Sequence, residues 1–381
     1  MRRLALPVGL LVLALFEAAA VWFVMPLPGS QRVRSVEIAY TLHAVRWPIR
    51  ALCLTLLTWG IPAVPRTGWR RWALAALALT TGGITYATNF VMAADRIFRQ
   101  PDAVTTVAAT ATEVAPDRLV VGVVVNGEAR AYPLQFIGYH HLLTDTIAGR
   151  PVLVTYCTVC RTGRVFDPVL DGAVERFRLV GMDEFNAMLE DRSTGSWWRQ
   201  ANGEALVGPR RGTVLPELPS VQVTLRQWIA LHPGTRVMRG DPRFTADYDQ
   251  DYAFERGTSR RALTGTDPRS WERKSWVVGV SLEGVDRAYD WNALLSAGAI
   301  NDTLAGRPIV LVVAVDSASF FAFERPSAST ILRRDGDSLR AGPLAFGFTG
   351  RGRVDSLRPV HASQEFWHSW QSFRPRTTRY P

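Results

Sequence analysis

Residues 119–167, LVVGVVVNGEARAYPLQFIGYHHLLTDTIAGRPVLVTYCTVCRTGRVFD, decide the fold, because they align without a gap on residues 276–324, WVVGVSLEGVDRAYDWNALLSAGAINDTLAGRPIVLVVAVDSASFFAFE. The offset is 157, and 15 of the 49 positions are identical. Matched landmarks are Val121-Gly122-Val123 with Val278-Gly279-Val280, Arg130-Ala131-Tyr132 with Arg287-Ala288-Tyr289, and Asp145-Thr146-x-Ala148-Gly149-Arg150-Pro151 with Asp302-Thr303-x-Ala305-Gly306-Arg307-Pro308. Two copies of one fold solve the same packing problem, so shared residues are expected to be structural and residues present in one copy are candidates for function. The subtraction isolates Cys157-Thr158-Val159-Cys160, where the second copy reads Ala314-Val315-Asp316-Ser317, and His140-His141, where it reads Ala297-Gly298.

Each copy opens on a hairpin pattern. Val120–Val125 and Glu128–Tyr132 flank Asn126-Gly127, a two-residue turn suited to positive φ, and Glu283-Gly284 takes its place in the second copy. A short helix is predicted over Leu134–Leu143, then a buried strand over Val152–Tyr156 that delivers the cysteines. The ends also match, Trp228-x-x-Leu231-His232-Pro233-x-Thr235 with Trp370-x-x-Phe373-Arg374-Pro375-x-Thr377, but at an offset of 142. The second copy therefore lacks a stretch corresponding roughly to Met182–Gly203, and its loss together with the cysteines points to one site. The fold expected is α+β, mostly antiparallel β, a soluble domain of two duplicated halves preceded by three transmembrane helices. The expected divisions are a membrane anchor over 1–96, a tether over 97–117, the first half over 118–240, a connecting loop over 241–275 and a degenerate second half over 276–381.

Three apolar runs, Leu4–Met25, Trp47–Val64 and Trp72–Ala94, read as membrane spans. Arg2 and Arg3 before the first, and Arg66, Arg70 and Arg71 before the third, favour a cytoplasmic N-terminus. Three crossings then place the domain after Arg96 on the periplasmic or extracellular side of the inner membrane, with membrane lipid as the partner the sequence names. The formal charge of +10 does not imply nucleic acid: 43 of the 44 basic residues are arginine, scattered along the chain, and Lys274 is the only lysine. Arg96 and Arg99 are candidates for attraction to anionic headgroups.

Cys53 lies in an apolar run and reads as a small core residue. Cys157 and Cys160 are spaced to reach each other or one metal. Three readings stay open. The leading one is a site for copper or zinc, with Cys157, Cys160 and His141 as ligands and His140, Met182 or Met188 as further donors. The second is a thiol-disulfide oxidoreductase pair acting on exported proteins, in which Cys157 and Cys160 are catalytic and Arg161 stabilises a thiolate. The third is a plain disulfide, a weak staple for so short a loop. Asp241, Asp247, Asp249 and Asp251, with Tyr248 and Tyr252, form an acidic loop without the spacing of a calcium-binding hand. Phosphate-binding glycine loops, nucleophile elbows and His-Glu-x-x-His signatures are absent from the sequence.

The set His141-x-x-x-Asp145-Thr146-x-x-Gly149-x-Pro151, Thr155-Tyr156-Cys157-x-x-Cys160-x-Thr162-Gly163-x-x-Phe166-Asp167, Asp191-Arg192-x-Thr194-x-Ser196-x-Trp198 and Gly203-x-Ala205-x-x-Gly208-Pro209 resembles the prokaryotic family DUF3179 over roughly residues 101–381. The chain departs from that pattern at Arg161, where relatives carry Gly or Asn, and at Leu142, where they carry Glu. The resemblance implies a domain identity and no particular activity.

Overall fold

The computed structural model describes residues 1–250 and 252–381, so Asp251 of the acidic loop lies outside the described residues. The chain divides into two compact units. The first comprises Met1–Arg99, Phe177–Arg199 and Glu204–Val214; the second comprises Gln100–Arg176, Gln200–Gly203 and Leu215–Pro381.

In the first unit, helix α1 covers Arg2–Trp22, α2 covers Val36–Ala44 and α3 covers Arg46–Gly60; α4 covers Trp69–Tyr86 and continues through a π-helical turn, Ala87–Val91. Two helices, Arg2–Trp22 and Trp69–Val91, are long and apolar enough to cross a membrane. The expectation of three such helices is corrected at the second. Helix α3 has 15 residues, about 22 Å at 1.5 Å per residue, against a hydrocarbon core of about 30 Å. A short 3-10 turn, Ile61–Ala63, follows it, and Pro62 and Pro65 prevent continuation.

Side-chain contacts fix the helix directions. Thr81 donates to the Leu10 carbonyl at 3.3 Å and Asn89 donates to Glu17 at 2.8 Å, so α4 runs parallel to α1. Arg2 donates to the Trp59 carbonyl and Arg50 to Glu17, so α3 runs antiparallel to α1. Glu17, which interrupts the first apolar run, is buried and doubly bonded by Arg50 at 2.8 and 3.0 Å. Pairing of this kind is what a charge in an apolar bundle requires.

The first unit also holds a four-stranded sheet in the order Ala205–Val207, Trp197–Arg199, Asn186–Asp191, Phe177–Asp183. Most of the stretch missing from the second sequence repeat is thus in this unit, while Gln200–Gly203 belongs to the second. Its Asp-Arg-x-Thr-x-Ser-x-Trp motif is a turn clamp. Asp191 accepts from the Thr194 amide and hydroxyl and from the Trp198 indole, at 2.7 to 2.9 Å.

The second unit is mixed α/β, and most of its strand pairs are antiparallel. The 119–125 strand pairs with 128–133 around Asn126 and Gly127, whose φ angles of 49° and 83° are those of a type I′ turn. A helix, Leu134–His140, shorter than predicted, leads to strands 142–147, 150–157 and 162–166. Residues 276–324 follow the same order: strands 276–282 and 285–290, helix Trp291–Ala297, and strands 299–304, 307–313 and 320–324. Each series gains an antiparallel strand, 220–224 on the first and 362–366 on the second, and a parallel one, 236–238 and 378–379. Part of the expected tether is also strand, since Thr106–Ala108 pairs with Arg236–Met238 and Arg236 grips the Thr106 carbonyl at 2.8 Å.

The residues common to both sequence repeats have structural work. Tyr132 and Tyr289 donate to Asp145 and Asp302, each at 2.7 Å, with Arg130 and Arg287 on the same carboxylates. The Trp228 and Trp370 indoles donate to Thr235 and Thr377 and lie flat on Gly122 and Gly279, where a Cβ would overlap the rings. Gly279→Ala or Gly122→Ala should therefore lower stability by about 1–3 kcal/mol. Gly234→Ala, in open space, should change it by less than about 0.5 kcal/mol. Urea unfolding of the three variants in detergent checks the contrast.

Candidate functional site

Strand Arg150–Cys157 is buried from Val152 onward and flanked on both sides, which suits its near-continuous apolar run. Cys157 pairs with Thr162, so Thr158-Val159-Cys160-Arg161 forms the connecting loop. Arg161 has φ 57°, a sparsely populated conformation for a side chain of its size. Tertiary contacts hold it there. Its guanidinium is fully buried, stacks 3.6 Å from the centroid of the Trp276 ring, and donates to the Phe254 and Glu255 carbonyls at 2.8 and 3.0 Å. Arg161 thus anchors the loop.

Cys157 and Cys160 are not joined in a disulfide and have no exposed surface. The cation beside them is Lys274, the only lysine of the chain. Its Nζ donates to the Val159 carbonyl at 2.7 Å and to the Leu263 carbonyl at 2.6 Å, and lies 4.5 Å from the centre of the Phe366 ring. Burial pulls its pKa down to about 8, opposed by the attraction of Cys160 and Cys157. His368 Nε2 lies 3.2 Å from the same Val159 carbonyl. Burial first, and the Lys274 charge second, press its pKa down to about 3, so the imidazole is neutral and its Nε2–H is the donor. The Phe366 amide donates to the Cys160 carbonyl at 2.9 Å. From the other flank Gln200 donates to Thr155 Oγ1 and the Thr162 carbonyl, at 3.0 and 3.1 Å. Gln200 is the part of the stretch missing from the second repeat that reaches the cysteine strands.

Among the described residues no group of three or more His, Cys, Asp or Glu is placed to hold a metal ion. His141 ends its helix at φ 64°, with Nδ1 3.1 Å from the Tyr139 carbonyl. Its own carbonyl accepts from the Tyr156 amide at 2.8 Å, so the backbone passes beside the cysteine strand while the ring is held at the helix end. Burial lowers its pKa to about 4. His140 turns to the Tyr248 hydroxyl at 2.9 Å, among Tyr139 and Phe244. Met188 is core of the first unit, packed with Val36, Ala39 and Trp197, and Met182 lies on a strand of that unit. In the acidic loop Asp241 is committed to Arg243 at 2.6 Å.

What spacing alone misses is Lys274, His368 and Phe366, which lie more than a hundred residues from the loop they clamp. The one available signal is composition, because a single lysine among 44 basic residues is an outlier. The unfolded chain holds the Lys274 proton to about pH 10.5 and the folded chain to about 8. The unfolded state thus binds more protons between these values, and stability contributed at this position rises with pH across that window. With both cysteines replaced by serine to remove thiol ionisation, the chain should gain about 1–2 kcal/mol from pH 8 to 10.5 relative to the same protein carrying Lys274→Met. Parallel pH profiles of chemical unfolding would contradict this assignment.

No curated protein and no solved structure matches the chain. A family model does match, over residues 98–377, and its description is a protein of unknown function; the chain belongs to that family, DUF3179.

Proposed function

We propose that the chain is a membrane-anchored protein whose soluble part carries a dithiol–disulfide redox centre at Cys157 and Cys160. The observation that carries this reading is a pair of buried cysteines at one tight loop, not joined in a disulfide, accompanied by the only lysine, with no group of three or more His, Cys, Asp or Glu placed to hold a metal among the described residues. In the oxidising half-reaction the two thiols lose two protons and two electrons as one S–S bond forms; a small disulfide takes up both and leaves as two thiols. Lys274 favours the thiolate that begins this exchange through charge attraction across a poorly hydrated loop. Zero exposure of both sulfurs favours a small reactant over a folded protein substrate.

The anchor in this reading is α1 and α4, with α3 running back between their ends. Because α1 and α4 are parallel, Arg2, Arg3, Arg66, Arg70 and Arg71 share one end and Arg96 leaves from the other. The positive-inside rule then puts residues after Arg96 outside the cytoplasm, an environment in which disulfides persist. The two halves are read as copies of one ancestral unit. The shared element order supports this, as does the position of the cysteine loop, whose equivalent in the second half is closed by Ala314 and Ser319.

Full-length protein treated with a small disulfide and mapped by mass spectrometry should form a Cys157–Cys160 bond that dithiothreitol reverses and Cys160→Ser abolishes. Stoichiometric zinc or copper in the reduced protein, lost in Cys160→Ser, would instead make the pair part of a metal site. For orientation, alkaline phosphatase fused after Arg99 should be active in cells, and a β-galactosidase fusion at the same place silent. The reverse pattern would put the thiols in the cytoplasm.

A further inference from the structure

The first unit contains a cavity of about 320 Å³ where α1 and α4 end, lined by Arg46, Arg50, Arg96 and Arg178 against the two carboxylates Glu17 and Asp95. That volume is about ten times the share of one water in the liquid and falls within the range of small-ligand sites. Two of the arginines are committed. Arg50 is bonded to Glu17 at 2.8 and 3.0 Å and to Asn89 at 2.6 Å. Arg178 is paired with Glu190 at 2.7 Å and Asp95 at 3.1 Å.

The other two are not neutralised. Among the described residues Arg46 donates only to the backbone carbonyl of His43, and its charged neighbours are Glu190, Arg178 and Arg50. Arg96 has no carboxylate partner among the described residues. Gathering like charges around one cavity is unfavourable unless something of opposite sign enters it. Guanidinium groups match the oxygens of a phosphate in pairs. Val21, Val24, Leu42 and Met92 also line the cavity, so an apolar wall stands beside the cations.

We propose that this cavity binds a phosphate group through Arg46 and Arg96, and that its natural source is the phosphodiester of an anionic phospholipid headgroup. The lipid assignment rests on the membrane reading above; phosphate recognition does not. In that reading the cavity lies at the headgroup level of the leaflet facing the soluble domain, where basic side chains attract anionic lipid. The acyl or glycerol portion would meet the apolar wall while the phosphate meets the two arginines.

The test uses full-length protein stripped of lipid in a zwitterionic detergent, with thermal stabilisation followed on adding phosphatidylglycerol, phosphatidylcholine or inorganic phosphate. Phosphatidylglycerol should stabilise saturably and phosphatidylcholine far less. Arg46→Gln/Arg96→Gln should weaken the effect on the order of tenfold, whereas Arg66→Gln/Arg70→Gln, which removes the same charge from the opposite end, should leave it unchanged. Saturable binding of inorganic phosphate alone, with the same variant pattern, would assign the site to a soluble anion and refute the lipid source. If neither probe stabilises the wild-type protein, or if both variant pairs weaken it equally, the site is overturned. Should the first pair fail to fold, the wild-type comparison of the three probes still decides, and Arg46→Lys/Arg96→Lys, which keeps charge without the paired geometry, should bind with intermediate strength.

Discussion

Much of the second unit turns on one buried amide contact, Gln222 Nε2 to Gln364 Oε1 at 3.0 Å. The two residues lie on strands 220–224 and 362–366, and this buried contact fixes where one strand lies against the other. Once that register is set, the following residues are positioned too. The Thr224 amide meets Ser319 Oγ at 2.9 Å, on the loop of residues 314–319, and the Phe366 amide meets the Cys160 carbonyl at 2.9 Å. Each half thereby caps the loop of the other, and one hydrophobic cluster draws side chains from both, from Val121 and Tyr156 to Val310 and Phe323.

The two capped loops are satisfied in different ways. In the second half Asp316 accepts from the Ala318 and Ser319 amides and from the Ser319 and Thr224 hydroxyls, at 2.6 to 3.0 Å, so the turn satisfies itself with one carboxylate. In the first half Val159 stands at that place and offers only a carbonyl, which recruits Lys274 and His368. The same backbone problem is solved once by a local side chain and once by distant ones. Only the second solution leaves a cation beside sulfur.

What could be read from sequence divides along the same line. The Asn126-Gly127 turn, the glycines under Trp228 and Trp370, and the carboxylates under Tyr132 and Tyr289 are local or repeated features, and the pattern exposes them. His141 lies next to the cysteine strand by its backbone, as spacing suggested, but its left-handed helix end and the contact of its ring with a carbonyl two residues back are features no spacing encodes. The second span, Trp47–Val64, failed because hydropathy continues through Ile61 and Val64 while the helix does not, the prolines ending it first. The partners of the thiols were hidden by separation in the chain, although the solitary lysine was in plain view.

Opposed forces act on the thiol loop, and their balance constrains its chemistry. Burial at zero exposure disfavours any charge on sulfur, while an ammonium held at the next carbonyl favours one. Neighbouring Arg164 is itself fully buried and ion-paired to Glu365 and Glu217, and buried pairs of this kind fix geometry more reliably than they add stability. With both cysteines fully buried, access to the sulfurs depends on releasing the clamps of the loop. Lys274 is the natural one to release first, because it is only partly buried and stands between the loop and the Leu263 carbonyl. Under the proposed redox reading, full removal of Lys274 would withdraw the favourable charge from the thiols, so that reading calls for an ammonium that shifts without leaving. This requirement favours a small reactant that can enter past a displaced side chain.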